Sequence, residues 1–177
     1  RFIGNFSSGK MGCELAKQAA FYGANVDLIL GPSSEKINHP LINVCNIISC
    51  DQMYELCKNK FQDCDIAICA AAVSDFKPLK FIDKKIKIKS PVIKTRLNTD
   101  IIKELGKKKK NQFLVGFALE TESEKKNAIA KLKNKNMDFI VLNSLKDKNS
   151  CFGHDTNKIK LIDSDYSIKE FPLMQKS

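Results

Sequence analysis

Two stretches of this sequence put small and polar residues where an anionic or planar ligand could approach the backbone. The first, Gly4-Asn5-Phe6-Ser7-Ser8-Gly9-Lys10-Met11, approaches the phosphate-binding pattern G-x-x-x-x-G-K-[ST]. It fails at the last position, because Met11 cannot give the hydroxyl that such a loop offers to Mg²⁺, so a P-loop nucleoside triphosphatase is set aside. The physical content survives the failed match. Ser7, Ser8, Gly9 and Lys10 stand before a helix whose first backbone N–H groups lack helical partners and face its positive end, a candidate anion site. The plain alternative is that Ser7 or Ser8 only caps the helix.

The second stretch, Ala70-Ala71-Ala72-Val73-Ser74-Asp75-Phe76, joins an apolar strand to a loop. Its alanines would let a ligand ring lie against the backbone, with Asp75 at the sheet edge. The competing reading is tight sheet packing with Asp75 as a turn residue. A dinucleotide enzyme finds little support, since there is no G-x-G-x-x-G, and Gly31-Pro32 stands where a ribose-binding acid belongs. It stays as an alternative because the usual Gly-rich turn would follow a strand ahead of Arg1.

The elements that must position these groups can be read along the chain. A helix is expected over Met11 to Tyr22, with Leu15, Ala16, Ala19 and Ala20 on one side and Gly23 as its stop. Strands are expected at Val26 to Leu30, Val44 to Ile48, Asp65 to Ala71, Phe113 to Ala118 and Phe139 to Leu142. The run Asp65 to Ala71 is apolar almost throughout, so it reads as a central strand covered on both faces. Helices are expected over about Asp51 to Phe61, Thr99 to Lys108 (Asn98 as cap) and Thr121 to Asn136, the last with Ala128, Leu132 and Met137 inward. Lys84 to Lys89 alternates Lys with Ile and precedes Val92 to Leu97, which suggests a surface hairpin or flap. Lys158 to Ile162 and Ser167 to Phe171 suggest a closing hairpin. Strands separated by helices imply a parallel sheet with right-handed crossovers: an α/β, three-layer, Rossmann-like sandwich with a β flap and a C-terminal β-hairpin. Ligands of such sheets bind beyond the carboxyl ends of the strands.

Composition narrows the function classes. The chain has 177 residues, 43% hydrophobic and 28% charged, an ordinary globular balance with room for one domain. No apolar run reaches the roughly 18 to 20 residues of a membrane helix, so no membrane partner is expected. The net charge of +10 suits an anionic partner. Of the 30 basic residues only Arg1 and Arg96 are arginine, whereas base readout and bidentate phosphate clamping favour Arg. A basic nucleic-acid-binding α/β domain is therefore the alternative rather than the reading. Seven cysteines without C-x-x-C spacing, together with only His39 and His154, argue for a reducing cytoplasm and against a zinc site.

Together, Arg1 to Gly12, Ala70 to Phe76, Lys85-Ile86-Lys87 and Gly116-Phe117-Ala118-Leu119-Glu120-Thr121 closely resemble phosphopantothenate–cysteine ligase. In many bacteria this is the C-terminal half of the bifunctional flavoprotein of coenzyme A synthesis. The resemblance covers essentially the whole chain. It implies that Asn5 acts on the acyl-nucleotide intermediate and that Lys85 is the essential lysine of a mobile flap over the nucleotide. It further implies nucleotide contacts from Ala71, Ala72, Asp75, the turn Asn98-Thr99-Asp100-Ile101, Phe117, Lys131 and Lys135. The implied reaction joins 4′-phosphopantothenate to L-cysteine with CTP as co-substrate and Mg²⁺ carried with it, in a homodimer. No metal-ligating side chains are assigned, and FMN belongs only to the decarboxylase half. No nucleic acid is involved.

The departures from the family pattern are specific. Thr99 stands where the family has proline, which frees the fixed φ of that turn. Asn143-Ser144 stands where some relatives carry Asn-Asp. Family members have a first strand and Gly-rich turn before Arg1, so the sequence reads as an excerpt of a longer chain. Pattern alone gives plainer readings of several residues. Lys131 and Lys135 could be the solvated face of an amphipathic helix, Phe117 could be core, and Lys85 could be an exposed edge lysine. Lys107 to Lys110 reads as a solvated helix end.

Overall fold

The computed structural model describes residues 3–5, 7–80, 82–144 and 156–175. Arg1, Phe2 and Phe6 of the first motif, with Cys151 and His154, lie outside the described residues.

Helix α1 (Lys10–Phe21) begins at Gly9, whose φ of 79° is the left-handed conformation glycine adopts at no steric cost. Neither serine caps it through its side chain at the N-cap position; Ser8 Oγ instead accepts the Lys10 N–H at 3.3 Å. Cys13, Ala16 and Ala20 are buried, and the helix packs on a parallel pair, β1 (Val26–Leu30) and β2 (Ile42–Asn46). Ile42, Val26, Leu28 and Val44 meet it there. Asp27 points to the opposite face by strand alternation and pairs with Lys60 of α2 (Cys50–Lys60) at 3.1 Å. The two helices therefore cover opposite faces of this pair. Ser49 and Gln52 start α2 with a full capping box, each side chain accepting the other residue's backbone N–H.

The larger sheet has the order β10-β9-β7-β6-β3. Strands β3 (Ile66–Cys69), β6 (Phe113–Glu120) and β7 (Phe139–Ser144) run parallel, and β9 (Lys160–Asp163) and β10 (Ile168–Glu170) continue it antiparallel. Leu114, Ala118, Ile140, Leu142 and Ile162 face helices α3 (Ile101–Lys108) and α4 (Glu124–Asn134), which contribute Ile101, Leu105, Ala128 and Leu132. The closing hairpin turns at Asp163, whose carboxylate accepts the N–H groups of Asp165 and Ser167. Two short strands, β8 (Thr156–Asn157) and β11 (Met174–Gln175), pair with each other and carry too little pattern to be read from sequence.

Two glycines set how close the layers come. A Cβ on Gly106 would collide with the Lys135 carbonyl, and one on Gly116 would overlap the Met137 sulfur. Asn136, at a φ of 52°, donates its side-chain N–H to the Gly106 carbonyl at 2.9 Å and seals the α3–α4 contact. Asp138 then accepts the Leu114 N–H at 2.7 Å while Lys109 Nζ pairs with both its oxygens at 2.9 Å, tying the α4–β7 turn to β6.

Several expectations shift. β3 is an edge strand of the larger sheet among the described residues, not a central one. The helix layer covers its Ala67 and Cys69 face, while Ile66 and Ile68 stay 59% and 44% exposed on the other. The flap ladder is not at Lys84 to Lys89: β4 (Phe76–Pro78) pairs antiparallel with β5 (Thr95–Leu97), and the Lys/Ile alternation lies in the loop beyond the ladder. A period of two gave the strand chemistry there but not a bonding partner. β2 sits two residues earlier than expected and leaves Ile48 exposed. Asp100, not Asn98, caps α3, its carboxylate accepting the Lys103 N–H at 3.1 Å.

The six described cysteines are free thiols. Burial pushes Cys57 up to about 11 and Cys69 to about 12 from an ordinary 9.0. The folded chain thus keeps protons that the unfolded chain releases above 9. Their stabilising contribution is full below pH 9 and is lost as pH rises toward 12. The unfolding free energy from denaturant titration should fall between pH 9 and 11, by roughly 1 kcal/mol per pH unit for each thiol, and Cys69→Ala should flatten that fall. Gly106→Ala should cost about 2 to 3 kcal/mol in urea unfolding, because the backbone carbonyl it meets cannot rotate away as a side chain could.

Candidate active site

The carboxyl ends of β3, β6 and β7 open onto one edge, and the loops there come from distant parts of the chain. The loop before α1 reaches it first. Asn5 Nδ2 donates to the Val73 carbonyl at 3.1 Å, joining the Asn5–Lys10 loop to the Ala70–Asp75 loop across 68 residues. On its other side the same loop is held by Asn98, whose Nδ2 donates to the Ser74 carbonyl at 2.7 Å and whose backbone N–H bonds the Asp75 carbonyl at 2.8 Å. Ser74 is buried and its hydroxyl donates to the Phe76 carbonyl at 2.9 Å, so the loop carries its own internal turn. Asp75, by contrast, is exposed, and Ala71 beside it is open. Asn98 is thus a clamp on the loop rather than a helix cap.

The N-terminus of α1 has no acidic residue in its first turn and no side-chain N-cap bond. Ser33 Oγ donates to the Ser8 carbonyl at 2.6 Å, and a Cβ on Gly9 would press on Leu30 and Ser33. The loop Ser7–Lys10 is therefore braced from the side by Ser33 and Leu30.

The helix layer brings charge. Lys131 lies on the last turn of α4 and Lys135 is the residue that caps its C-terminus. Lys135 Nζ lies 3.0 Å from Asp100 Oδ2, so the cap of α3 also holds the end of α4. Lys131 Nζ lies 2.7 Å from Glu120 Oε1 at the end of β6. Both lysines turn back over the sheet edge. Glu120 lies in the motif Gly116–Thr121 but was given no role on sequence, and its partner Asn127, which donates to Glu120 Oε2 at 3.2 Å, was not a candidate. A Glu and a Lys eleven positions apart carry no periodic signal.

Not every candidate joins this group. The alternation of β6 sends Gly116 toward α3, so Phe117 projects from the opposite sheet face, half-buried. Thr99 is exposed and Ile101 is buried in the core under α3. Lys85 lies exposed in the flap loop and makes no hydrogen bond or ion pair with the described residues. The flap is moored at its base by an ion pair from Lys77 to Asp51 of α2. Asn143 donates to Asn157 Oδ1 at 2.7 Å, a bond between β7 and β8. Among the described residues no group of three or more His, Cys, Asp or Glu side chains gathers that could hold a metal ion, and no helix is long and apolar enough to cross a membrane.

A protein named cysteine/cysteine sulfinic acid decarboxylase, from an unknown prokaryotic organism, is 54% identical over 99% of this chain and 50% of its own length. The coenzyme A biosynthesis bifunctional protein CoaBC of Bacillus subtilis is 40% identical over 99% of this chain and 44% of its own. The chain thus spans about half the length of these curated relatives. Among solved structures, the C-terminal domain of a coenzyme A biosynthesis bifunctional protein CoaBC superposes with a TM-score of 0.82 at 32% identity, over 99% of this chain and 79% of that one. A Cab2 H337A mutant in complex with phosphopantothenate-cysteine shares the fold, with a TM-score of 0.74 at 17% identity over 97% of this chain and 74% of that one. Residues 1–177 match the family described as the DNA/pantothenate metabolism flavoprotein C-terminal domain, and the chain belongs to that family.

Proposed function

We propose that this chain is a ligase unit that joins 4′-phosphopantothenate to L-cysteine in coenzyme A synthesis, through an acyl-nucleotide formed from CTP. The observation that carries the reading is the Asn5–Val73 hydrogen bond, which joins the two family motifs into one edge. A relative named for coenzyme A biosynthesis at 40% identity supports the pathway, and a structural relative holding phosphopantothenate-cysteine supports the substrate. The decarboxylase chemistry in the name of another relative belongs to a protein of which this chain spans half. The present reading is confined to the ligase step.

A carboxylate is a poor acyl donor, so it first attacks the α-phosphate of the nucleotide and expels pyrophosphate. The cysteine amine then attacks the mixed anhydride, giving the amide and CMP. Neither step needs a nucleophile from the protein. What they need is positioning and neutralised phosphate charge. The N–H groups at the start of α1 and the ammonium groups of Lys131 and Lys135 would supply part of it. Lys85, exposed on the loop beyond the β4–β5 ladder, would close over the triphosphate. Asn5, anchored through its N–H to Val73, would present its amide to the acyl-phosphate. Mg²⁺, when bound, would screen the triphosphate; with no acidic cluster among the described residues it would ride on the phosphates, with Asp75 the exposed carboxylate beside them. The flap loop also leaves apolar side chains such as Val92 (89% exposed) open, a surface that a second copy in a homodimer would cover.

Two outcomes test the reading. Pyrophosphate release from CTP and 4′-phosphopantothenate should fall at least about a hundredfold in Lys85→Gln, at unchanged melting temperature, since a flap lysine contributes to transition-state charge and little to packing. Near-normal turnover by a folded Lys85→Gln chain overturns its role. Asn5→Asp should still release about one equivalent of pyrophosphate, but amide formation should drop about a hundredfold while acyl-nucleotide accumulates, because a carboxylate cannot donate and repels phosphate. Mass spectrometry of the quenched reaction reads the intermediate directly; amide formation at the wild-type rate would leave Asn5 a loop-shaping residue only.

A further inference from the structure

Glu120 ends β6 with its side chain only 11% exposed. A carboxylate so placed must be paired, because burying an uncompensated charge is costly. Two groups of α4 answer it. Asn127, one turn before Lys131, donates to Oε2 at 3.2 Å and also to the Glu122 carbonyl at 3.0 Å, so its amide is fixed at two points. Lys131 brings its ammonium to 2.7 Å from Oε1. The ammonium has three N–H donors and the carboxylate meets it from one side only, with the Lys131 side chain still 46% exposed.

We infer that Glu120 is a positioning residue for the nucleotide step: it draws Lys131 back over the carboxyl edge of the sheet and holds its ammonium there with N–H groups free for phosphate oxygens. Without it, Lys131 belongs to the solvated face of an amphipathic helix, where a flexible four-carbon stem spreads its charge over many rotamers. Asn127 fixes the carboxylate, the carboxylate fixes the ammonium, and the ammonium meets the ligand. The inference rests on the ligase reading, since it takes a triphosphate as the ligand of this edge.

The arrangement makes a prediction opposite to that of net charge. Removing an acid from a triphosphate site adds positive potential and by itself favours the nucleotide. If position dominates, Glu120→Gln, which keeps the size and the Asn127 partner, should instead raise KM for CTP about tenfold with kcat within about twofold, the loss of roughly one charge-assisted contact. Glu120→Asp keeps the charge but withdraws it by one methylene, and should raise KM by a smaller factor; it also serves if the glutamine variant unfolds. In a double-mutant cycle, Lys131→Met should raise KM as much as the glutamine variant or more, and combining the two should raise it no further. Full additivity of the two, or an unchanged or lower KM in both Glu120 variants, would overturn the inference while leaving the ligase intact. Calorimetric titration of CTP and ATP into the wild-type chain separates the two claims: binding of neither overturns the ligase reading and this inference with it.

Discussion

The architecture depends on the absence of a side chain at Gly106. Helix α3 can lie against the end of α4 only because nothing stands between its backbone and the Lys135 carbonyl. That contact fixes Asp100 within 3.0 Å of Lys135, so the distance between two candidate ligand-binding groups is set by a residue that touches no ligand. Gly116 does the same one layer down, where β6 accepts Met137 without a Cβ in the way. Close-packed interiors pass such constraints on with little slack.

Charge is arranged by pairing as much as by excess. The chain carries +10 overall, yet Lys131 and Lys135 are each met by an acid from a different element. Lys109 is met by Asp138 in a contact that also takes the Leu114 N–H, which is architecture. Lys85 makes no ion pair with the described residues. A cation that must travel gains from having no partner to leave, whereas one that must stand still gains from a buried carboxylate.

What was legible in sequence was the local part. Ala16 and Ala20 on the inner side of α1, Gly23 as its stop, and the inward set Ala128, Leu132 and Met137 all read correctly, because each depends on neighbours within a turn or two, whereas Leu15 and Ala19 are only half-buried and the buried Cys13 was not among the expected residues. The candidate loops came from the resemblance to a family and not from local pattern. The flap ladder was misread because Lys/Ile alternation describes a strand's two faces and not its hydrogen-bonding partner; the bonds formed instead between Phe76–Pro78 and Thr95–Leu97. Asn98 was misread as a cap since its spacing to the helix fitted, while Asp100 sat nearer and took the Lys103 N–H. Glu120 and Lys131 are joined only once a strand end and a helix face stand side by side.

The Asn5–Val73 bond has one more consequence. It is a single exposed hydrogen bond between loops, worth little by itself, yet it spans 68 residues of chain and meets the α3 cap region through Asn98 on the far side of the same loop. A ligand seated along that seam would touch the segment before α1, the loop after β3 and the ends of α3 and α4 at once. It would act as a non-covalent crosslink among parts that the polypeptide itself connects only by long detours. Such a molecule, binding the folded chain and having nothing to grip in the unfolded one, adds its binding free energy to the stability of the whole. A ligand bound there would then be a late structural member of the fold.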